Sequence, residues 1–236
     1  MDKIFARTEL LLGAKGMQRL AVSRVAVFGL GGVGSFVVEA LARSGIGSLL
    51  LIDADVVEPS NINRQLPAMQ STVGKAKVAV AAEHIREINP QANIILRQEF
   101  YTPEKAESVF AQPLDYIVDA VDDVRAKIDL AVQAEQRGIN IISCMGAGNK
   151  LDPTKFKVAD VYETRICPLA RIMRHELRQR RVKSLQVVFS EEKPHLSRTD
   201  TGCVPPTGSI AFVPSVAGLI MAGVVVRDLA GVSLTK

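Results

Sequence analysis

The stretch RVAVFGLGGVGSFVVEALARSGIGSLLLID (residues 24–53) joins an apolar run, a cluster of glycines, a segment of helical spacing and a second apolar run. A strand that leads through Gly-x-Gly-x-x-Gly into a helix is the context in which this motif binds a phosphate chain. A glycine at the second position lets the backbone approach the phosphates, while the helix amides point at the anion. The stretch predicts a nucleotide-binding unit. A tight turn without a ligand is the alternative.

The same alternation of short apolar runs and helical segments continues along the chain. Apolar runs at 25–28, 49–52, 94–96, 116–118 and 139–143 are interleaved with helical patterns at 35–44, 75–88, 104–110 and 124–137. Such alternation is typical of a mostly parallel sheet with helices on both faces. We therefore predict an α/β fold, Rossmann-like and doubly wound.

In the second half of the chain the regular alternation of strands and helices stops, but there is no linker, repeat or low-complexity tract. Strands are predicted at 157–161 and 185–189, with an arginine-rich helix at 169–181 between them and a polar, proline-containing loop at 190–208. We expect these strands to extend the same sheet. A single domain over 1–236 follows, with a nucleotide-binding half (1–148) and an acceptor-binding half (149–236).

The segment IAFVPSVAGLIMAGVVV (210–226) is strongly apolar and has no charged residue. Its 17 residues fall just short of a bilayer span, and a helix that begins at Pro214 would leave about twelve residues before Arg227. A helix buried against the sheet is the favoured interpretation. A membrane anchor is the alternative.

Composition excludes several classes of protein. With 47% hydrophobic and 23% charged residues the chain is an ordinary globular protein. The N-terminus carries charges where a signal peptide needs an apolar core, so we expect a cytoplasmic location. The three cysteines (Cys144, Cys167 and Cys203) form no CxxC pair, which argues against a disulfide framework and against structural zinc. The net charge of +4 permits a polyanionic partner without requiring one.

Residues just beyond the glycine motif indicate which nucleotide is bound. Asp53 ends the second strand, where a carboxylate accepts hydrogen bonds from ribose hydroxyls in both NAD and ATP enzymes. Asn61, Arg64, Gln65 and Lys77 follow. Two phosphates of a dinucleotide need no further cations once the glycine turn holds them, so these residues favour a triphosphate. Solvated surface charges are the alternative for Arg64 and Lys77 taken singly, and an NAD-dependent oxidoreductase is the alternative function.

The fourth strand ends in YIVDAVDDVRAK (116–127), which brings Asp119, Asp122 and Asp123 to the carboxyl edge of the sheet. Ligands of open α/β sheets bind at that edge, and a carboxylate there can hold Mg²⁺ on a triphosphate. We assign the metal role to Asp122. Asp123 is predicted to cap the following helix, and a cap is also the alternative role for Asp122.

Together these motifs resemble the adenylating superfamily that includes ubiquitin-activating enzymes and the molybdopterin- and thiamine-biosynthesis enzymes. The resemblance rests on Gly-x-Gly-Gly-x-Gly, Asp-x-Asp, Asn-x-x-Arg-Gln, Gly-x-x-Lys and a later aspartate, all in order. It implies ATP and Mg²⁺ as ligands and a homodimer in which Arg7 reaches the partner's phosphates. The residues it assigns to the nucleotide and metal are Gly29, Gly31, Gly32, Gly34, Asp53, Asp55, Asn61, Arg64, Gln65, Lys77 and Asp122.

Departures from the superfamily pattern narrow the choice of substrate. The carrier-activating members usually have two CxxC zinc pairs in the second half, and this chain has none. Stretches such as EHIREINPQANI (83–94), GAGNKLDPTKFKVADVYETRICPLARIMRHELR (146–178) and VVFSEEKP (187–194) resemble the bacterial tRNA threonylcarbamoyladenosine dehydratase branch. That resemblance implies ATP-dependent cyclisation of threonylcarbamoyladenosine in tRNA. Adenylation of the C-terminal glycine of a sulfur carrier is the alternative, and an adenylate-binding scaffold without catalysis is a third.

A cationic surface for tRNA is predicted on the arginine-rich helix and the residues after it. Leu169, Ile172, Met173 and Leu177 form an apolar stripe, which should leave the charged side chains exposed. A solvated helix face is the alternative, and His175 is interpreted as one more surface residue of this kind. The predicted phosphate-binding residues are Arg171, Arg174, Arg178, Arg180, Arg181 and Lys183.

A sulfur-transfer partner is also compatible with the sequence. Cys203 lies in the polar loop and Cys144 at a strand end, so a cysteine desulfurase or another sulfur-acceptor system is a candidate partner. A free loop cysteine is the favoured interpretation of Cys203.

Overall fold

The computed structural model of the chain describes residues 3–195 and 207–233. All seven predicted strands are present, each within two residues of its predicted bounds. They are β1 (Arg24–Phe28), β2 (Ser48–Ile52), β3 (Asn93–Arg97), β4 (Tyr116–Asp119), β5 (Asn140–Cys144), β6 (Phe156–Asp160) and β7 (Gln186–Ser190). They form one sheet in the order β3-β2-β1-β4-β5-β7-β6, parallel except for β6, which is antiparallel to β7. The predicted α/β fold with C-terminal strands extending the sheet is confirmed.

The helices agree less uniformly with the predicted ranges. They are α1 (Ala6–Val22), α2 (Gly34–Arg43), α3 (Lys77–Ile88), α4 (Ala106–Val109), α5 (Val124–Arg137), α6 (Pro168–Gln179) and α7 (Phe212–Ala230). Helix α5 has the predicted bounds because Asp123 caps its first turn and Gly138, in a left-handed conformation, ends it. The helix predicted at 104–110 has only four α-helical residues, since its first turn is a 3₁₀ segment, Pro103–Lys105.

Helix α7 lies in the core and is longer than predicted. It begins two residues before Pro214, which sits in the first turn where its missing N–H is not needed. A methyl group on Gly218 would lie 2.4 Å from the carbonyl oxygen of Val33, so the small residue permits close packing against α2. By length and composition α7 is the one helix in the described residues that could cross a membrane. Val213, Ala217 and Met221 nevertheless belong to the main hydrophobic core, which supports the buried-helix interpretation.

Helix α1 precedes the sheet and is bent at Gly13, where φ is 71°. Leu10 and Leu11 are 87% and 83% exposed, although a leucine gains free energy by burial. Two adjacent leucines on one exposed helix form an apolar surface next to Arg7, which is itself exposed.

Candidate active site

A cavity of about 850 Å³ opens at the carboxyl ends of β1, β2 and β4. The strand order reverses at this point, because β1 lies between β2 on one side and β4 on the other. Open α/β sheets bind ligands at such a reversal. The cavity volume is within the usual range for a small-molecule site. The predicted residues that line it are Gly29, Gly31, Gly32, Asp53, Asp55, Asn61, Arg64, Gln65, Lys77 and Asp122.

The glycine turn is shaped by two close backbone approaches. Gly29 has a φ of 86°, and a methyl group on it would lie 2.7 Å from the carbonyl oxygen of Ala120. A methyl group on Gly34 would lie 1.8 Å from the carbonyl oxygen of Gly29. Gly34 is therefore structural, and it does not line the cavity. Gly31 faces open space, as the phosphate-binding prediction requires, with Gln65 Nε2 3.9 Å from the place a methyl group would occupy.

Asp53 ties this turn to the end of β2. Its Oδ2 accepts a hydrogen bond from the Leu30 backbone N–H at 2.6 Å, and its Oδ1 accepts one from the Asp55 N–H at 2.8 Å. Each carboxylate oxygen accepts more than one hydrogen bond, so both can still receive ribose hydroxyls. The two backbone bonds hold the carboxylate at the cavity wall.

Lys77 and Asp55 form an ion pair inside the cavity, with Nζ and Oδ2 2.8 Å apart. Lys77 is only 5% exposed although it begins α3, and its backbone N–H donates to the Asp55 carbonyl at 3.0 Å. The structure thus gives Asp55 a second function, since its carboxylate orients the ammonium group. A buried cation at a helix N-terminus is an arrangement that attracts phosphate.

Gln65 carries an unsatisfied atom that points to a ligand. Gln65 and Asn61 are both buried, and Gln65 Oε1 is the only buried side-chain nitrogen or oxygen atom in residues 3–195 and 207–233 that lacks a hydrogen-bond partner. An unpaired buried acceptor costs about 1–3 kcal/mol. Arg64 beside it is half-buried, and its Nη1 donates to the Ser60 carbonyl at 2.8 Å.

The three aspartates at the end of β4 and just after it lie in three different environments. Asp119 is fully buried and bound to Lys127, so it is unavailable to a ligand. Asp122 is exposed at the cavity wall. Asp123 accepts a hydrogen bond from the Ala126 N–H at 2.7 Å, which confirms its predicted cap.

A single carboxylate is what Mg²⁺ needs when phosphates and water complete its shell. Within the part of the chain that the structure describes, no group of three or more His, Cys, Asp or Glu side chains is placed to hold a metal ion. Asp122 therefore fits a metal held mainly by the triphosphate rather than by a protein cage.

Sequence reasoning missed a buried polar cluster directly beneath the cavity. Lys127 Nζ lies 3.0 Å from both carboxylate oxygens of Asp119 and 3.3 Å from Ser143 Oγ, and all three residues are at most 1% exposed. Lys127 comes one turn after Asp123, on the face of α5 that also buries Ala126 and Leu130. The sequence did carry one signal for this buried cluster, because Lys127 stands at helical spacing among apolar residues of α5.

Other residues missed from sequence complete the cavity wall. Arg125 adds a cationic group to the side that carries Asp122. The opposite wall comes from the loop after β5 and from the residues before and within the first turn of α7. These residues are Ala147, Gly148, Thr207, Ser209 and Pro214.

The basic segment differs from the prediction because several of its arginines bind their own chain. Arg174 is half-buried, since its guanidinium donates to the carbonyl and hydroxyl oxygens of Thr164. Arg178 lies over the Tyr162 ring, and Arg180 pairs with Glu176. Arg180, Arg181 and Lys183 lie beyond the end of α6.

The predicted apolar stripe of α6 also needs correction. Ala170, Met173 and Leu177 form the buried face, whereas Ile172 is 48% exposed. An exposed face carrying Arg171, Arg181 and Lys183 remains. His175 is exposed and its ring bonds to Gln179.

Arg7, Cys144 and Cys167 do not line this cavity. Arg7 is exposed on the first turn of α1. Cys144 and Cys167 are free and buried, and burial raises the pKa of the Cys144 thiol to about 12, so it stays protonated near neutral pH. Cys203 lies outside the described residues.

The model of the ThiF family matches residues 5–236. The chain belongs to the ThiF family. Among the curated relatives of this ThiF protein, the tRNA threonylcarbamoyladenosine dehydratase of Bacillus subtilis is 46% identical over 239 residues, covering 95% of this chain and 94% of that protein.

Solved structures of similar proteins carry nucleotides. The Escherichia coli tRNA N6-threonylcarbamoyladenosine dehydratase in complex with AMP superposes on this ThiF chain with a TM-score of 0.89 at 34% identity, over 96% of this chain and 94% of that one. The same E. coli protein in complex with ATP gives a TM-score of 0.88 at 34% identity, over 96% and 93% of the two chains.

Proposed function

We propose that this chain uses ATP to adenylate the carboxylate of threonylcarbamoyladenosine in tRNA and then closes it to the cyclic form, with release of AMP and pyrophosphate. The observation that supports it most is that the glycine turn, the Asp53 carboxylate and the buried Lys77 line one cavity, in a chain similar along nearly its whole length to dehydratases of that name.

The first step forms a mixed anhydride. A carboxylate oxygen of the substrate attacks the α-phosphorus of ATP, and the bond to pyrophosphate breaks. Lys77 and Arg64 neutralise charge that develops on the leaving pyrophosphate, and the amides of the glycine turn hold the phosphate chain. Asp53 holds the ribose, while Asn61 and Gln65 position the nucleotide. Mg²⁺ held by Asp122, when bound, supplies further neutralisation of phosphate charge.

The second step closes the ring within the substrate. An atom of the neighbouring urea attacks the activated carbonyl carbon, the bond to AMP breaks, and a proton leaves, so the nucleoside loses one water overall. No enzyme nucleophile is needed, because effective molarities in intramolecular closures reach the order of 10⁵ M or more. The protonated Cys144 agrees with this interpretation.

A homodimer is part of the proposal. Arg7 is exposed and outside its own cavity, and Leu10 and Leu11 form an apolar surface on the same helix. A two-fold dimer that buries this surface brings Arg7 to the partner's phosphates. Location in the cytoplasm and contact with a cysteine desulfurase remain predictions.

The product of the reaction gives a direct test. Purified enzyme is incubated with ATP, Mg²⁺ and tRNA carrying threonylcarbamoyladenosine, and the nucleosides are analysed by mass spectrometry. We expect conversion to a species lighter by one water, only when ATP is present. Formation of AMP without any change in the nucleoside mass would instead point to a carrier protein as the acceptor.

A further inference from the structure

We propose that Asn149 is a positioning residue that holds the acceptor wall, defined as Ala147, Gly148, Thr207 and Ser209, in place for the carboxylate-bearing nucleoside. The inference rests on the proposed function and assigns the substrate side of the same cavity. The acceptor wall faces the cavity from the loop after β5 and from the residues that precede α7.

Asn149 joins these two chain segments through two hydrogen bonds and binds the loop after β7 through a third. Its backbone N–H donates to the Gly208 carbonyl at 2.7 Å, its Oδ1 accepts from the Gly208 N–H at 2.6 Å, and its carbonyl accepts from the His195 N–H at 2.7 Å. The residue has a φ of 57°, a left-handed conformation that asparagine tolerates better than most residues. This conformation lets both its backbone and its side chain bind Gly208.

Gly148 allows the wall to close tightly. A methyl group on Gly148 would lie 2.2 Å from Thr207 Cγ2 and 3.4 Å from the carbonyl oxygen of Gly208. Only a residue without a side chain permits this approach. On the far side, Asn63 Nδ2 donates to the Ser209 carbonyl at 2.9 Å, which ties the wall to the nucleotide-binding half.

The chemistry of the wall suits the acceptor rather than ATP. The glycine turn, Asp53 and Lys77 already account for phosphates and ribose on the β1–β3 side of the cavity. The acceptor wall carries two hydroxyl groups and no charged side chain, so nothing in it repels a carboxylate, and its hydroxyls can donate to one. Displacement of this wall should therefore weaken acceptor binding and leave ATP binding intact.

The first test replaces Asn149 by Gly. Glycine keeps the left-handed backbone and removes only the hydrogen bond that the Gly208 N–H donates to Oδ1, so the fold should persist. We expect the KM for threonylcarbamoyladenosine-tRNA to rise roughly fivefold while the KM for ATP stays unchanged. An unchanged KM for tRNA, or an equal rise in both constants, would overturn the inference.

A second test uses steric rescue and does not depend on the first variant. Gly148→Ala should raise the KM for tRNA because its methyl group pushes Thr207 away, and Gly148→Ala combined with Thr207→Ser should recover at least half of that loss, because Cγ2 is gone. Gly146→Ala is the matched control, since a methyl group there meets no described atom within 4 Å. A double variant no better than Gly148→Ala would contradict the inference.

The activity of the wild-type enzyme distinguishes failure of the Asn149 inference from failure of the proposed function. If the wild-type enzyme and the variants cyclise the modified tRNA equally well, the proposed function is supported and Asn149 has no part in acceptor binding. Wild-type enzyme that never uses this tRNA would overturn both.

Discussion

We expect triphosphate binding to depend on Lys77 more than on any other residue. Its ammonium group is buried and held by Asp55, so it is preorganised for phosphate at little reorganisation cost. Lys77→Ala should lower the rate of AMP formation by roughly 100-fold or more. Lys75→Ala is the matched control, since Lys75 is exposed and two residues away. Equal rates for the two variants in a radiolabelled ATP assay would show that the triphosphate lies elsewhere.

Lys127 should matter for stability first. Lys127→Met leaves the fully buried Asp119 without its cation, and breaking a buried pair typically costs about 3–5 kcal/mol. We expect a loss of that size in the free energy of unfolding, measured by urea denaturation. The double variant Lys127→Met with Asp119→Asn should regain part of it, because a neutral amide avoids the buried charge. A single variant as stable as wild type would refute the assigned pairing.

At the residue scale, sequence motifs predicted which residues meet at one cavity, and the binding roles of these residues stay predictions. Asp123 as a helix cap was predicted from its place before a helical segment, and ten predicted residues line one cavity. Lys127 was missed because a buried lysine is rare and its partners, Asp119 and Ser143, lie on two separate strands. The fold brings these three side chains together, and their spacing in the sequence does not indicate it.

At the scale of elements, the turn between β1 and α2 contains two glycines that should respond in opposite ways. Gly34→Ala places a methyl group 1.8 Å from the Gly29 carbonyl oxygen, so the turn must open and the protein should be strongly destabilised. Gly31→Ala meets only Gln65 Nε2 at 3.9 Å, so the protein should fold but bind ATP more weakly, since the methyl group occupies the phosphate side. Thermal unfolding and ATP titration of both variants test this contrast. Similar melting temperatures would contradict it.

The exposed basic face formed by Arg171, Arg181 and Lys183 should contact the phosphates of tRNA and not its bases. Arg171→Glu combined with Arg181→Glu should weaken tRNA binding, and the slope of log K against log salt should fall by about one for each arginine that no longer binds a phosphate. Arg43→Glu on α2 is a matched control, because that side chain is exposed at 59%. The affinity of each variant for tRNA, measured at several salt concentrations, tests this expectation. An unaltered slope would show that this face does not contact tRNA.

Element bounds were predictable from sequence where local signals are strong. β-Strands bounded by polar residues and a helix with a cap and a terminal glycine came out within two residues. The exposure of Arg174 was wrong because helical spacing shows which residues share a face but not which neighbouring loop accepts their hydrogen bonds. Helix α7 begins two residues before its predicted start, because Pro214 lies within the first turn and is not the first helical residue.

At the scale of the whole molecule, the account predicts complementation between subunits. Arg7→Ala and Lys77→Ala should each be inactive alone, but a heterodimer of the two has one site with both Lys77 and the partner's Arg7 intact. Mixing equal amounts after reversible dissociation should restore about a quarter of wild-type activity. Two Lys77→Ala preparations mixed in the same way are the control. No recovery in a proven heterodimer would show that Arg7 does not act on the partner's site.

The sequence predicted the cavity residues that follow β1 and β2 far better than those of the acceptor wall. The residues predicted to hold phosphate and ribose follow strand ends in a fixed order, so their meeting at one sheet edge could be inferred. The acceptor wall joins residues near 148 with residues near 208 through an asparagine in a left-handed conformation. No spacing in the sequence indicates that these two segments meet.

The decisive measurement is AMP formation from ATP and Mg²⁺, comparing tRNA that carries threonylcarbamoyladenosine with the same tRNA lacking it. We expect AMP release only with the modified tRNA, in a one-to-one ratio with cyclised nucleoside. AMP release at the same rate with both tRNAs would contradict adenylation of this nucleoside.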